Sequence, residues 1–518
     1  MKIQNNEKPL YLTMSAKFSI IILVLLYLLS LSRALINPVD LPTNLRKCFE
    51  MKTKYSNVKE VPSEDICLTC ITDYLWRDGK HAHCSSRPHT ADDLKWVADI
   101  LVDIHPTTNN RYRRSTFERA RRKEYRMLSD EERDQYHLAV NMMKKDTSVL
   151  PNRYDAFVEF HGREAGKSAH RGPNFMGWHR ILLVMYEYSL NLQVKGVTLP
   201  YWDSTLDSGM SIDPVNSIIW SDQFLGNGDG DVRTGPFKNW RVSWNNTDYK
   251  LVRNIGSTGQ LYTKNSVLNI LSQRYNRDIV EPSYYPRNSL EGLHDRVHFW
   301  IGGNMFNLAT APMDPIFFMH HAFVDLIWEL FRQQQRTYYK IDPSQDYPHT
   351  FDPLHHPDRE MDGIPAVPGG QKLRNKDGYL DYWTDRVYFY DPPPTCSKFT
   401  LDCNSRYLEC DPVRVICVSK SIQAMSFQYP TFNSFNAMDF WKRRGKRDTL
   451  DDLYGHVDDF VSSSQISYEK IQLNVPKELI LGSPVQNTFN IDCERPDVKT
   501  WAFMAIKIIH IRPPEVKL

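Results

Sequence analysis

Apolar residues recur at helical spacing in two long stretches, 154–187 (YDAFVEFHGREAGKSAHRGPNFMGWHRILLVMYE) and 290–333. Each stretch divides into two helices around turn residues. Gly172-Pro173 breaks the first, and Gly302-Gly303 breaks the second. Upstream, Asp92–Ile104 has the same period. Ser129-Asp130-Glu131-Glu132 opens a further helix through Lys145, with acids in its first turn and lysines in its last. The segment 204–288 is rich in Gly, Asn, Asp and Ser with few periodic runs, which predicts surface loops. Near the end, ISYEKIQLNV and WAFMAIKIIHI alternate in strand fashion and predict a small β region.

The helical stretches carry the candidate chemistry. His294 and His298 stand four apart and share a helix face. Asp314-Pro315 then reads as an N-cap and first-turn proline. The helix that follows sets His320 and His321 among Phe317, Phe318, Phe323, Leu326, Ile327 and Trp328. Imidazoles buried in that much apolar surface need partners. Hydrogen-bonded core histidines would satisfy the rule, and so would a metal. The first stretch repeats the arrangement: His161 ends one helix, His179 begins the next, and His170 lies in the loop between. Neither set contains the Cys or carboxylate ligands of a typical structural zinc site. Imidazoles alone suit copper, zinc, iron or nickel.

Length and composition change the picture mainly at the ends. The 518 residues allow two or more domains, and the charge of +2 gives no reason to expect nucleic-acid binding. Ser19–Leu31 (SIIILVLLYLLSL) follows Lys17 and precedes Ser32-Arg33-Ala34. It is short for a membrane span and reads as a secretory signal over 1–34, with an uncleaved anchor as the rival. No stable membrane association is expected after cleavage. Nine cysteines in a secreted chain point to disulfides: Cys48, Cys67, Cys70 and Cys84 in a Cys-rich region, 35–110, and Cys396, Cys403, Cys410 and Cys417 in a second, 392–424. Cys493 leaves the count odd. Cys67-x2-Cys70 with His81 and Cys84 also has zinc-knuckle-like spacing, but disulfides are the better reading in an oxidising compartment. Asn245-Asn246-Thr247 is a glycosylation sequon. Arg444-x-Lys446-Arg447 suits a processing protease or an exposed basic loop, within a C-terminal β region (425–518) that reads as a propeptide and holds an aromatic run, Phe427, Tyr429, Phe432 and Phe435. His137 reads as structural, and His349, His355 and His356 read as surface residues.

Specific motifs tie these features together: HRGPNFMGWHR with His170-x8-His179, PYWD at 200–203, HDRVHFWIGGNM from 294, DPIFFMHHAFVDLIW from 314 and YFYD at 388–391. Over residues 115–391 the chain resembles the tyrosinase family of type-3 copper proteins, which includes catechol oxidases and molluscan haemocyanin units. The resemblance implies a mainly α fold: a four-helix-bundle dicopper core with long loops in a catalytic domain at 111–391. It implies two copper ions, one held by His161, His170 and His179 and one by His294, His298 and His321. His320 is then structural. Phe317 packs on a ligand ring, Asp325 anchors its helix, and Phe299 and Leu308 face the substrate. Ser168 stands two residues before His170, where some members carry a cysteine cross-linked to that histidine, so no such bond is expected.

The chemistry so implied is oxidation of phenols by O2, in a secreted enzyme acting on small phenols or on protein-bound tyrosine and dopa in an extracellular matrix. Diphenols become quinones, for melanin formation or matrix cross-linking. Monophenol hydroxylation needs a proton acceptor. Asp295 occupies a position where the family commonly has Asn, with Glu291 nearby, so these two are the candidate catalytic carboxylates and that activity stays open. Two rivals share the ligands, a haemocyanin-like O2 carrier and a structural matrix protein with reduced activity. No tandem repeat of the unit supports the carrier.

Overall fold

A computed structural model describes residues 42–55, 70, 71, 74, 89–104 and 119–426, apart from 165–166, 245–246, 283–285 and 368–370. The signal segment, the sequon asparagine, the basic site at 444–447, the aromatic run and the strand-like tail lie outside the described residues.

Eight helices of eight or more residues order the described chain: α1 (Thr43–Tyr55), α2 (Ala91–Ile104), α3 (Asp130–Lys145), α4 (Arg153–Glu164), α5 (Asn174–Gln193), α6 (Lys264–Leu271), α7 (Leu290–Ile301) and α8 (Ile316–Gln334). The fold is mainly α, built on a helical core in which α4, α5, α7 and α8 bear histidines. Local signals place their ends. Ser129 and Glu132 form a reciprocal capping box on α3. Ser289 accepts from the Gly292 amide to start α7. At the start of α8, Pro315 flanks the first turn, and Asp314 accepts from the Ile316 amide at 3.2 Å. The same carboxylate grips buried Arg253 at 2.6 and 2.9 Å. α5 and α8 are buried almost throughout, as their all-round apolar composition requires.

Strands are short. β1 (Ala120–Arg122), β2 (Asp229–Asp231), β3 (Arg241–Trp244), β4 (Thr247–Lys250), β5 (Val252–Asn254), β6 (Tyr388–Tyr390), β7 (Leu408–Asp411) and β8 (Ile416–Ser419) form four two-stranded sheets. β1 pairs in parallel with β6, two strands more than 260 positions apart, with Arg121 opposite Phe389. The β7–β8 hairpin holds Cys410 opposite Cys417. Disulfides Cys396–Cys410 and Cys403–Cys417 staple it, and Cys403, Leu408 and Cys417 bury against Leu206. Cys48 pairs with Cys70, which removes Cys70 from any zinc knuckle.

The expectation of surface loops over 204–288 is overturned. Ile218, Ile219, Trp220, Phe224, Phe237, Val242, Leu251, Tyr262 and Ile270 from this segment are buried in the main core. The misreading has a physical cause. Apart from those on α6, where Val267, Ile270 and Leu271 share one face, these residues sit singly or in threes between turns, too short a run to show a period, yet burying such apolar side chains is worth about 1.5–3 kcal/mol each.

The turn between α7 and α8 depends on glycine. Gly302 and Gly303 have positive φ (65° and 54°), and a Cβ on Gly303 would lie 1.9 Å from the Val252 carbonyl oxygen. Gly303→Ala is therefore expected to destabilise by well over ~1 kcal/mol, from left-handed strain and the backbone clash together. Denaturant unfolding would read this as a lower midpoint at unchanged slope.

Candidate metal centre

The four histidine-bearing helices and one loop deliver six imidazoles to one place. His161 comes from the last turn of α4, His170 from the 167–173 loop and His179 from the first half of α5. One nitrogen of each lies within 4.8 Å of the others, and all three residues are buried. His294 and His298 come from one face of α7 and His321 from α8, forming a second buried triad on the same criterion. The two triads touch. The His179 and His321 rings stack with centroids 4.4 Å apart and planes 16° apart. Phe175 lies between the sets, 4.7 Å from the His179 ring and 5.0 Å from His294.

Hydrogen bonds fix which nitrogen faces inward. His179 Nδ1 donates to the Phe175 carbonyl at 2.9 Å and His298 Nδ1 to the Met305 carbonyl at 3.1 Å. His294 Nδ1 donates to Asp295 Oδ1 at 2.9 Å. With Nδ1 as donor, each Nε2 presents a lone pair. In the second triad the three Nε2 atoms face one another at 2.8–3.3 Å. In the first, Nε2 of His161 and of His179 are buried and meet no hydrogen-bond partner. Converging buried lone pairs repel and cost desolvation energy unless a cation takes them up. Burial, reinforced by the neighbouring rings, holds His161, His170, His294, His298 and His321 well below the usual imidazole pKa. Burial takes His179 to about 3. All six are neutral near pH 7, the form a metal ligand needs. The donor set therefore fits two copper ions, one per triad.

The remaining predicted residues are placed as follows. Phe317 packs its ring 4.1 Å from His321 and 5.0 Å from His161. His320 belongs to neither triad; its ring stacks on His294 at 5.0 Å and 8° and meets the His298 ring edge-on at 5.1 Å. Asp325, on α8, is buried. It accepts from Arg180 Nε at 2.9 Å, Tyr388 Oη at 2.6 Å and Tyr390 Oη at 2.8 Å. Burial would raise its pKa, but Arg180, Arg122 and the two hydroxyls hold it below the usual value. Phe299 packs on Phe306 and is covered by Leu45, Cys70 and Ile71 of the N-terminal region, with Leu308 in the same cluster.

Asp295 and Glu291 are both buried and engaged. Asp295 Oδ2 accepts from Arg171 at 2.7 Å while Oδ1 holds His294. The two oxygens of Glu291 accept from the Arg171 main-chain amide at 2.7 and 3.0 Å. Arg171, beside His170, thus ties the loop of one triad to the helix of the other. The sequence offered no signal for it: 120 residues separate Arg171 from Glu291. Its left-handed φ of 67° also places it outside any helical or strand pattern.

His355 corrects an expectation. It is 3% exposed, not on the surface, and its ring lies against Gly172 beside His170. His349 and His356 are exposed as expected. His137 is buried, with its ring nitrogen bonded to Tyr125 Oη at 2.5 Å.

Comparison with known proteins gives this geometry a family. The profile of the common central domain of tyrosinase matches residues 151–334. A tyrosinase-like protein of Pinctada maxima is 38% identical over 294 residues, 53% of this chain and 62% of the relative. Tyrosinase-like protein 1 of Margaritifera margaritifera is 33% identical over 427 residues, 74% of this chain and 82% of the relative. The chain belongs to the tyrosinase family. A tyrosinase of Streptomyces antibioticus is 32% identical over 232 residues, 40% of this chain and 81% of the relative. Against the Pinctada maxima protein and tyrosinase-like protein 2 of Margaritifera margaritifera, this tyrosinase-family chain spans 62% of the relative's length. The family consists of type-3 copper proteins, generally oxidoreductases, that bind two copper ions and use O2. The matched region contains all six histidines of the two triads.

Proposed function

We propose that this chain is a secreted dicopper phenol oxidase that converts o-diphenols to o-quinones with O2. One observation carries the reading: two triads of buried, neutral imidazoles in ring contact through His179 and His321. His161, His170 and His179 would hold one copper, and His294, His298 and His321 the other. Bound copper supplies the reversible one-electron chemistry that passes substrate electrons to O2. The chain's own part is orientation. The Phe175 and Met305 carbonyls and Asp295 fix three ligand rings, and Phe317 closes the apolar wall against two more. Each catechol gives up two electrons and two protons. Two catechols reduce one O2 to two waters.

Small phenols or protein-bound tyrosine and dopa are the proposed substrates, for melanin formation or for cross-linking an extracellular matrix. Support for an oxidising compartment comes from the three disulfides among the described residues. Among those residues no helix is long and apolar enough to cross a membrane. Monophenol hydroxylation is proposed only as a second activity, because Asp295 is committed to His294 and Arg171. Asp295 serves as a positioning carboxylate on this reading. Asp295→Ala is expected to weaken copper binding roughly 10–100-fold and to lower monophenol and diphenol turnover together. A role as proton acceptor alone would leave copper and diphenol turnover intact and remove only the monophenol reaction.

The test of the function is turnover of catechol to a coloured quinone by protein of measured copper content, repeated on tyrosine and dopa before and after protease treatment. Two coppers per chain with quinone formation is the expected result. Two coppers without turnover would point to an O2 carrier, and a chain that binds no copper to a structural protein.

A further inference from the structure

The loop that carries His170 is bounded by α4 and α5 but belongs to neither. A strap formed by residues 353–367 and 371–379 crosses it. Asp362 Oδ2 accepts from the Ser168 hydroxyl at 2.7 Å and from the Ser168 amide at 3.2 Å. Arg359 holds the same oxygen at 2.7 Å, and the Asp362 carbonyl accepts from Trp178 Nε1 at 3.0 Å. Asn174, at the start of α5, donates to the Ser168 hydroxyl at 3.2 Å. Four residues on from Ser168, the His355 ring covers Gly172 so closely that a Cβ there would lie 2.4 Å from it. The same ring hydrogen-bonds the main chain of His170. Tyr379 donates to the Pro173 carbonyl at 2.7 Å. Every residue from 168 to 173 except Ala169 is thereby named in a contact with the strap or with α7, and Ala169 is buried.

We propose that this strap is the positioning element for His170, with Asp362 (through Ser168) and His355 as its positioning side chains. A ligand on a loop lacks the backbone hydrogen bonds that fix a ligand on a helix, so its ring direction must be set by neighbours. Here the setting is noncovalent and comes from a segment some 190 residues away in sequence; Ser168 and Asp362 are 194 apart. The strap touches neither copper nor substrate. Its loss would free the loop and weaken the first triad while leaving the second, whose rings are fixed by Asp295 and Met305, in place.

The inference rests on His170 being a copper ligand, and the experiment separates the two. Ser168→Ala, Asp362→Leu, Asp362→Asn and His355→Ala are made in the full chain and loaded with copper. Each is then dialysed against a chelator, with His170→Ala alongside. Copper per chain, the electron paramagnetic resonance signal of the oxidised protein and the unfolding midpoint of the metal-free protein are measured. The expected result for Ser168→Ala, Asp362→Leu and His355→Ala is a loss of affinity at one of two sites of roughly 10–100-fold. An uncoupled single-Cu(II) signal should appear that the intact pair does not give. Asp362→Asn keeps an acceptor for Ser168 and should retain both coppers and the silent spectrum. Two retained coppers and a silent spectrum in both Ser168→Ala and His355→Ala would overturn the proposal, even if Asp362→Leu fails to fold. Equal loss from Asp362→Asn and Asp362→Leu would overturn the role given to the hydrogen bond. A His170→Ala variant that keeps both coppers after the same dialysis would instead refute the ligand assignment.

Discussion

His179→Ala and His321→Ala are each expected to strip copper and abolish quinone formation, with a loss greater than the roughly 100-fold that follows removal of a partner behind a ligand. These two rings are the contact between the triads, stacked 4.4 Å apart. Removing either takes a donor from one triad and a wall from the other. The truncation also leaves a void among Phe175, Phe317 and the facing histidines. The change at His320 is the instructive control. His320 neighbours His321 in sequence and is as deeply buried, yet it belongs to neither triad. His320→Gln should keep two coppers per chain, because its ring packs behind those of His294 and His298 and its nitrogens belong to neither triad. Elemental analysis alongside a catechol assay checks the contrast. Equal copper loss from His320→Gln and His321→Ala would mean that the triads are wrongly drawn.

The largest stability effect is expected at Asp325. Its carboxylate is buried among Arg180, Tyr388 and Tyr390, with Arg122 3.7 Å away. Asp325→Ala removes one of the two carboxylates on buried Arg180, which keeps only Glu329, and leaves the Tyr388 and Tyr390 hydroxyl protons without their acceptor. Breaking a buried pair from one side costs about 3–5 kcal/mol, which for a domain of this size lowers Tm by on the order of 10 °C. The same group predicts an acid limb. Its folded pKa lies below its unfolded one. Its contribution is thus fully present above the ordinary carboxylate pKa of about 4 and is lost as pH falls through the folded value. Thermal melts of parent and variant from pH 7 down to pH 3 should converge as the parent loses that contribution. A constant gap at the lowest pH would contradict the assignment to Asp325.

The parts legible in the sequence are those whose physics is local. Helix period, the Ser129 cap, the Gly302-Gly303 turn and the i,i+4 pair on α7 each fall within a few residues. The six histidines were legible because imidazoles in apolar helices are costly unless something binds them. Residues fixed by long-range contact were not legible. Arg171 reaches Asp295 across 124 positions, Asp362 holds Ser168 from 194 away, and β1 meets β6 with Arg122 beneath the Tyr388 ring. His355 looked like one more exposed histidine in a proline-rich loop, and only the tertiary fold puts it on Gly172. The 204–288 segment was misjudged for the opposite reason: its buried residues are too scattered to make a period. Phe299 shows a third kind of limit. Its helix was readable, but the N-terminal residues that cover it, Leu45, Cys70 and Ile71, come from a stretch with no period linking it to α7.

The most direct measurement is an anomalous difference map from crystals of the copper-loaded protein, collected at the copper edge. Two strong peaks are expected, one among His161, His170 and His179 and one among His294, His298 and His321. A single peak, or peaks lying away from these rings, would contradict the paired-metal centre on which the oxidase reading stands.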